Sequence, residues 1–130
     1  VPFEFFERVL PFTDLFLYDI KAVSPEKHSA WTGADNARIL SNFNRLYQVG
    51  AKILVRIPVI PERNGEMEEM QRIAAFLADY PEVPVELLAY HRLGESKYAG
   101  LGLSADGHNF TVPDKAYMDQ RKRLFKNPLL

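Results

Sequence analysis

The chain has 130 residues, enough for one domain spanning residues 1 to 130 and too few for two. Its net charge of −1 gives no indication of nucleic-acid or membrane binding, and the lack of a secretory signal or of an apolar run of roughly 20 residues predicts a cytoplasmic protein. Because the sequence contains no cysteine, this chain supplies neither a disulfide nor a cysteine ligand for a metal or cluster.

The first part of the chain predicts a helix, a strand and two further helices. Residues 2 to 10 have apolar side chains at helical spacing, and the proline that follows should end this helix. The run DLFLYDI, residues 14 to 20, is nearly all apolar and predicts a strand buried on both faces. A short helix is expected at residues 24 to 31. A longer one should begin at an N-cap, Asp35, and end at Gly50 in a left-handed conformation.

The rest of the chain continues the alternation of strands and helices. The predicted elements are a strand at residues 52 to 60, a turn at 61 to 65, a helix at 66 to 79, a strand at 85 to 90 and a C-terminal helix at 113 to 127. Strands that alternate with helices imply right-handed crossovers and a parallel sheet. The predicted fold class is therefore α/β, with three parallel strands alternating with helices and two open sheet edges.

Two groups of charged residues lie on the predicted helices. Acidic residues at the start of the helix at 66 to 79 suit the positive end of the helix dipole: Glu66, Glu68 and Glu69. The last helix ends in a basic group: Arg121, Lys122, Arg123 and Lys126. A solvated helix end that complements the dipole explains this group better than a nucleic-acid patch.

Polar residues end or interrupt the predicted strands. Asp19 and Lys21 end the first strand on one side of it, where they could face a ligand or pair with each other. Arg56 interrupts the second strand and could pair with a carboxylate such as Asp19, or grip a ligand carboxylate or phosphate. His91 follows the third strand and could be a structural hydrogen-bonding residue or a ligand contact. Because the carboxyl ends of parallel strands meet at one edge of a sheet, a polar or anionic ligand is expected there.

Four segments follow one another in an order that is typical of a known family. They are TDLFLYDIK (13 to 21), His28 with Thr32, Gly33, Asn36, Ile39 and Leu40, VRIPVIP (55 to 61), and LLAYHRLG (87 to 94) continued by Lys97 and Tyr98. They resemble the glycyl-radical-enzyme activating enzymes, which are radical S-adenosylmethionine (SAM) proteins such as the pyruvate formate-lyase activating enzyme. The resemblance covers about residues 1 to 103, with a looser match in the final helix.

The resemblance implies the C-terminal half of a partial (β/α)6 barrel with a SAM site. It also implies that Lys21, Arg56 and His91 contact SAM, and that Asp19 and the backbone carbonyl of Leu17 bind a monovalent cation. In the parent protein, an oxidoreductase, SAM on a [4Fe-4S] cluster would be reductively cleaved. The resulting radical would abstract a glycine hydrogen from a partner, a glycyl radical enzyme, so that the cofactor supplies the chemistry and the protein positions it.

Some features of that family are absent from the sequence. The cluster motif CxxxCxxC and the Gly-Gly-Glu segment that binds the SAM amino group are missing, while Ala89 and Glu62 replace the usual proline and glycine. Together with the start at Val1, this favours a piece cut from a longer protein, inactive because it cannot hold the cluster. The alternatives are a cluster-free SAM-binding module completed by another chain and a half-barrel that binds a phosphorylated metabolite.

A half-barrel would also lack a neighbour for its first strand. The unpaired edge of that strand would present free backbone hydrogen-bonding groups, and apolar surface beside it would be uncovered. Two copies could then pair edge to edge. We therefore expect the chain to self-associate through this exposed strand edge.

Overall fold

The structure, a computed structural model, describes residues 2 to 32, 36 to 89 and 111 to 130. Its helices are α1 (Phe3–Val9), α2 (Pro25–Thr32), α3 (Ala37–Gln48), α4 (Met67–Ala78) and α5 (Lys115–Lys122). Its strands are β1 (Phe16–Asp19), β2 (Ile53–Val59) and β3 (Val85–Ala89). They form a parallel sheet in the order β1-β2-β3, which confirms the predicted α/β class. No helix within these ranges is long and apolar enough to cross a membrane.

The sheet has one buried face and one partly exposed face. Residues of β2 alternate between the two, with Ile53, Val55, Ile57 and Val59 buried and the residues between them half-buried. The buried face packs on a core that includes Phe43 and Leu46 of α3 and Met70, Ile73 and Leu77 of α4. Alternation of this kind places every second residue of each strand on the opposite face, away from that core.

The predicted burial of the first strand on both faces is wrong. Tyr18 is buried and donates a hydrogen bond from its hydroxyl to the backbone carbonyl of Ile39, 2.5 Å away. Burial raises the pKa of Tyr18 to about 12. Leu17, on the other face, is 58% exposed. The apolar run therefore reflects a strand with one covered face, together with apolar residues that no described element covers.

The outer edge of β3 is partly covered by the end of the chain. The backbone N–H of Val85 donates to the carbonyl of Pro128, and that of Leu130 donates to the carbonyl of Val85. Asn127, which is buried, donates from Nδ2 to three backbone carbonyls, one in the last turn of α4 and two in the segment between α4 and β3, and so fixes the path of this tail. The prediction of two open edges is therefore wrong at β3. At β1, no strand within the described ranges pairs with the outer edge.

Several helix ends differ from the predicted ones. The chain does not leave helical structure at Pro11, because a 3₁₀ helix, Leu10–Phe12, continues from α1. Asn36 occupies the N-cap of α3, and the predicted cap, Asp35, lies outside the described residues. Gly50 has a φ of +80°, as predicted for a left-handed residue after α3. The C-terminal helix α5 lies within the predicted range of 113 to 127 and is shorter.

Helix α5 is attached to the turn after β2 through one backbone carbonyl. The carbonyl of Gly65 accepts hydrogen bonds from the hydroxyl of Tyr117 at 2.6 Å and from Nε of Arg121 at 2.9 Å. The guanidinium of Arg121 also stacks 3.5 Å above the Tyr117 ring, and burial raises the pKa of Tyr117. Arg121 is only 7% exposed, so the predicted solvated role is wrong for this residue of the basic group.

We expect substitution of Gly65 to disrupt this attachment. A Cβ atom at Gly65 would lie 2.5 Å from the Tyr117 hydroxyl and 2.8 Å from Cα of Pro61, so Gly65→Ala should lower the free energy of unfolding by about 2 kcal/mol. Gly50→Ala is the matched control, because its Cβ would meet nothing within 4 Å and only the positive φ, worth about 1 kcal/mol, opposes it. Urea unfolding measures both. A Gly65→Ala variant as stable as the wild type would contradict this packing.

Candidate functional site

A row of three charged side chains crosses the partly exposed face of the sheet. Asp19 in β1 is opposite Arg56 in β2, and Arg56 is opposite Glu86 in β3. Opposite residues in a parallel sheet share a face, so the row reads negative, positive, negative. Asp19 is the last residue of β1, whereas three more strand residues follow Arg56 in β2. The row therefore crosses the middle of β2, where Arg56 interrupts the strand as predicted, and not the carboxyl end at which a ligand was expected.

Lys21 lies just beyond the row. Its Nζ is 3.1 Å from Oδ2 of Asp19, so the two residues do pair with each other, as one of the two interpretations predicted. Both side chains are partly exposed, and ion pairs of this kind contribute only about 0–1 kcal/mol. A ligand that offers either residue a better partner can therefore replace the pair.

Arg56 pairs with Glu86. Its Nε is 3.7 Å from Oε2 of Glu86, which is an ion pair but too long for a hydrogen bond. That Nε is buried and has no hydrogen-bond partner in the part of the chain that the structure describes. A buried donor left unpaired costs about 1–3 kcal/mol. The carboxylate beside Arg56 is thus Glu86 and not the suggested Asp19, and the guanidinium retains unused hydrogen-bonding capacity.

The backbone of β1 places the Leu17 carbonyl at the open edge of the sheet. The N–H groups of Phe16 and Ile20 donate to carbonyls of the β2 segment. Because backbone groups alternate direction along a strand, the N–H and C=O of Leu17 point away from β2. No group of three histidine or acidic side chains suited to a metal ion occurs within residues 2 to 32, 36 to 89 and 111 to 130. A cation here would rely on Asp19 and this carbonyl.

Three buried side chains hold residues 21 to 24, which lie just beyond β1, and we call them the 21–24 clamp: Asn36, Asn64 and Glu69. Asn64 donates from Nδ2 to the carbonyls of Lys21 and Pro58, at 2.8 and 2.7 Å, and accepts from the N–H of Ile60. Asn36 donates to the carbonyls of Ala22 and Val23, both at 2.8 Å. These bonds fix the direction in which the chain leaves the strand that carries Asp19.

Glu69 completes the clamp. Its Oε2 accepts hydrogen bonds from the N–H groups of Val23 and Ser24, at 2.8 and 3.1 Å, and its side chain is fully buried. Arg72 lies 3.4 Å from the other oxygen and offsets the buried charge. The predicted role of Glu69, a charge near the positive end of a helix, is therefore incomplete. Glutamates are seldom buried, so no sequence pattern indicated this contact.

The other predicted contact, His91, lies outside the described residues, as does Tyr90. Around the residues that are described, a cleft of about 340 Å³ beside β1 is lined in part by Leu17, Asp19 and Lys21. A larger cleft of about 600 Å³ lies at the amino end of the sheet, between Lys52 and Pro84, and includes none of the predicted site residues. The second cleft is larger and is lined by other charged residues, Lys52 and Glu82, whereas the first contains the predicted site residues Asp19 and Lys21.

Comparison with known proteins gives relatives for nearly the whole chain, although no protein-family model matches it. It is 38% identical over 125 residues to the trans-4-hydroxy-L-proline dehydratase activating enzyme of Clostridioides difficile, covering 95% of this chain and 41% of the relative. It is 37% identical over 127 residues to the (2S)-3-sulfopropanediol dehydratase activating enzyme of Klebsiella oxytoca, covering 95% and 40%. Its fold matches a domain of a pyruvate-formate lyase-activating enzyme from Bacteroides vulgatus with a TM-score of 0.78, at 21% identity, covering 98% of this chain and 72% of that one.

The homologues of this chain are glycyl-radical-enzyme activating enzymes, which confirms the resemblance read from its four segments. The chain spans about two fifths of the length of the curated relatives it matches, which is consistent with a C-terminal part of such a protein. The solved domain confirms the fold.

We expect loss of a residue of the 21–24 clamp to lower the stability of the folded chain. Asn64→Ala leaves one buried N–H and two carbonyls without their partner, so the free energy of unfolding should fall by roughly 3 kcal/mol or more. Asn44→Ala is the control, because Asn44 is half-buried and accepts one hydrogen bond, from Tyr80, so its loss should cost about 1 kcal/mol. Chemical unfolding followed by circular dichroism compares the two variants. Equal losses would show that the clamp does not hold the chain after β1.

Proposed function

We propose that this chain provides SAM-binding strands of a glycyl-radical-enzyme activating enzyme. In this proposal Lys21, Arg56 and His91 contact SAM, and Asp19 with the carbonyl of Leu17 binds a monovalent cation. The observation that carries the proposal is the charged row on the sheet face away from the helices, with Arg56 at its centre. The homology to activating enzymes supports the same ligand.

The charges of the row suit a ligand that carries both signs. Asp19 and Glu86 are negative, and Lys21 and Arg56 are positive. SAM carries a carboxylate, an ammonium group and a sulfonium centre, so each sign of the row would have a partner. A sugar phosphate is doubly negative, so it could pair with Lys21 and Arg56 but would offer no positive group to Asp19 and Glu86. The mixed row therefore favours SAM over a phosphorylated metabolite.

Arg56 has the hydrogen-bonding capacity that a ligand carboxylate needs. Its guanidinium makes no hydrogen bond to another described residue, and its side chain is 40% exposed. A planar guanidinium can bind a carboxylate through two parallel hydrogen bonds, which lysine cannot do. We infer that Arg56 orients the ligand and that Lys21 leaves Asp19 to bind it, while Asp19 becomes available to a cation.

The [4Fe-4S] cluster of the parent protein does not fit this chain. Cluster irons in such proteins are held by cysteine thiolates, and the sequence has none. Bound SAM supplies radical chemistry only together with that cluster, so the role of these residues is confined to binding and orientation. We therefore infer that the chain by itself does not turn over SAM. The partner in the complete system would be a glycyl radical enzyme in the cytoplasm.

Calorimetric titration with SAM tests the proposed site. The wild-type chain should bind SAM measurably, and Arg56→Gln should weaken binding by about tenfold, which corresponds to the loss of one charge-assisted hydrogen bond. Lys21→Gln should weaken it to a similar extent. Lys52→Gln, which removes a positive charge at the amino end of β2, is the matched control and should bind as the wild type does.

Three further assays separate the alternatives. Tighter binding of a sugar phosphate than of SAM would replace the proposal with a phosphometabolite site. Formation of deoxyadenosine by the pure chain with reduced iron, sulfide and SAM would overturn the inference that it is inactive alone. Completion by another chain that supplies cysteines would restore turnover and favour the alternative of a cluster-free module.

We also expect two copies of the chain to associate through the outer edge of β1. The outward N–H and C=O of Leu17, and its 58% exposed side chain, present an open edge to a second copy. Sedimentation velocity should show dimers at high concentration. Leu17→Pro removes the outward N–H without touching the bonds to β2 and should give a monomer. A wild-type chain that sediments only as a monomer contradicts this prediction.

A further inference from the structure

We propose that Glu86 is a positioning residue for Arg56, which holds the Nε side of the guanidinium so that its two terminal nitrogens face the ligand. This inference rests on the proposed function for the identity of the ligand and adds a residue that the sequence pattern did not single out. It depends on the register of β2 and β3, on the burial of Nε and on the ion pair between the two side chains.

The register places Glu86 where it can act on Arg56. The two residues are direct neighbours across β2 and β3 and share the partly exposed face of the sheet. Glu86 Oε2 approaches Nε of Arg56, at 3.7 Å, on the side of β3. On the β1 side, the residue opposite Arg56 is Asp19, whose carboxylate accepts a hydrogen bond from Lys21. Glu86 is therefore the acid that determines how the guanidinium is turned.

The unpaired Nε of Arg56 explains why a positioning acid such as Glu86 is needed beside it. Nε is buried and lacks a hydrogen-bond partner among the described residues, and buried donors in folded proteins almost always have one. A movement of about 0.7 Å would bring Oε2 of Glu86 to a normal hydrogen-bond distance of about 3.0 Å. We expect this contact to shorten when a ligand binds, as hydrogen bonds in ligand-free active sites often do.

In this arrangement the guanidinium of Arg56 binds two carboxylates, that of Glu86 and that of the ligand. A carboxylate at Nε leaves the pair of terminal nitrogens for a bidentate contact, and the ligand carboxylate is the group that such a pair recognises. Glu86 thus contributes to specificity through the orientation of Arg56 and need not touch the ligand. Its own side chain is 30% exposed, so it is partly shielded from water, which strengthens its interaction with Arg56.

A first experiment needs no ligand. The Nε–H resonance of Arg56 can be assigned in a nitrogen-15 spectrum by its loss in Arg56→Lys. In Glu86→Gln it should move upfield and exchange faster with water, whereas Glu82→Gln, which removes an exposed acid before β3, should leave it in place. An Arg56 resonance that does not respond to Glu86→Gln overturns the inference, whether or not SAM binds.

A second experiment uses SAM and its decarboxylated analogue as probes. Glu86→Gln should weaken SAM binding by about tenfold and leave binding of the analogue within roughly twofold, since only SAM offers a carboxylate to Arg56. In an Arg56→Gln background the effect of Glu86→Gln should disappear. Equal weakening of both probes overturns the inference, because it indicates direct contact with Glu86. Failure of the wild type to bind SAM, with the resonance shift intact, refutes the proposed function alone.

Discussion

The geometry of the candidate site depends on how the chain is held after β1. Strand β1 has only four residues and one strand partner in the described structure, so its own ladder gives it little rigidity. The clamp formed by Asn36, Asn64 and Glu69 supplies what the ladder lacks, because it pairs five backbone groups of residues 21 to 24 with buried side chains. Buried hydrogen bonds of this kind are costly to break singly, which makes the exit path of the strand well defined.

The clamp also links the site to the two elements that follow the neighbouring strand. Asn64 lies in the turn after β2 and Glu69 in the first turn of α4, so β1 and β2 are joined at their carboxyl ends by side chains as well as by ladder bonds. The turn also carries Gly65, whose carbonyl binds α5. A shift of this turn would change the position of Lys21 relative to Arg56. It would also move α5, which is bound to the same turn. The clamp therefore holds the chain next to the Asp19 end of the charged row, although the outer edge of β1 has no strand partner within the described ranges.

The sequence predicted the repeating part of the fold and much less of the polar contacts. Apolar runs and helical periodicity, together with capping residues and the left-handed Gly50, identified every described strand and the helices between them, because these patterns are local. The roles of Glu69 and Arg121 depend on partners about 45 and 56 positions away, which no local pattern encodes. The exposed face of β1 was missed for a related reason, since apolar residues mark a face that can be covered and do not show what covers it.

The pairing of Arg56 shows how register determines chemistry that spacing leaves open. From spacing alone, Asp19 was as good a partner for Arg56 as any other acid, because Asp19 and Arg56 both belong to the predicted sheet. The register instead gives Arg56 an acid on each side, and the ion pair of Asp19 with Lys21 leaves Glu86 as its neighbour. With two acids and two bases, the row needs no ligand to balance its net charge. It therefore favours a ligand of mixed charge, since a purely anionic one would have to displace or neutralise two carboxylates.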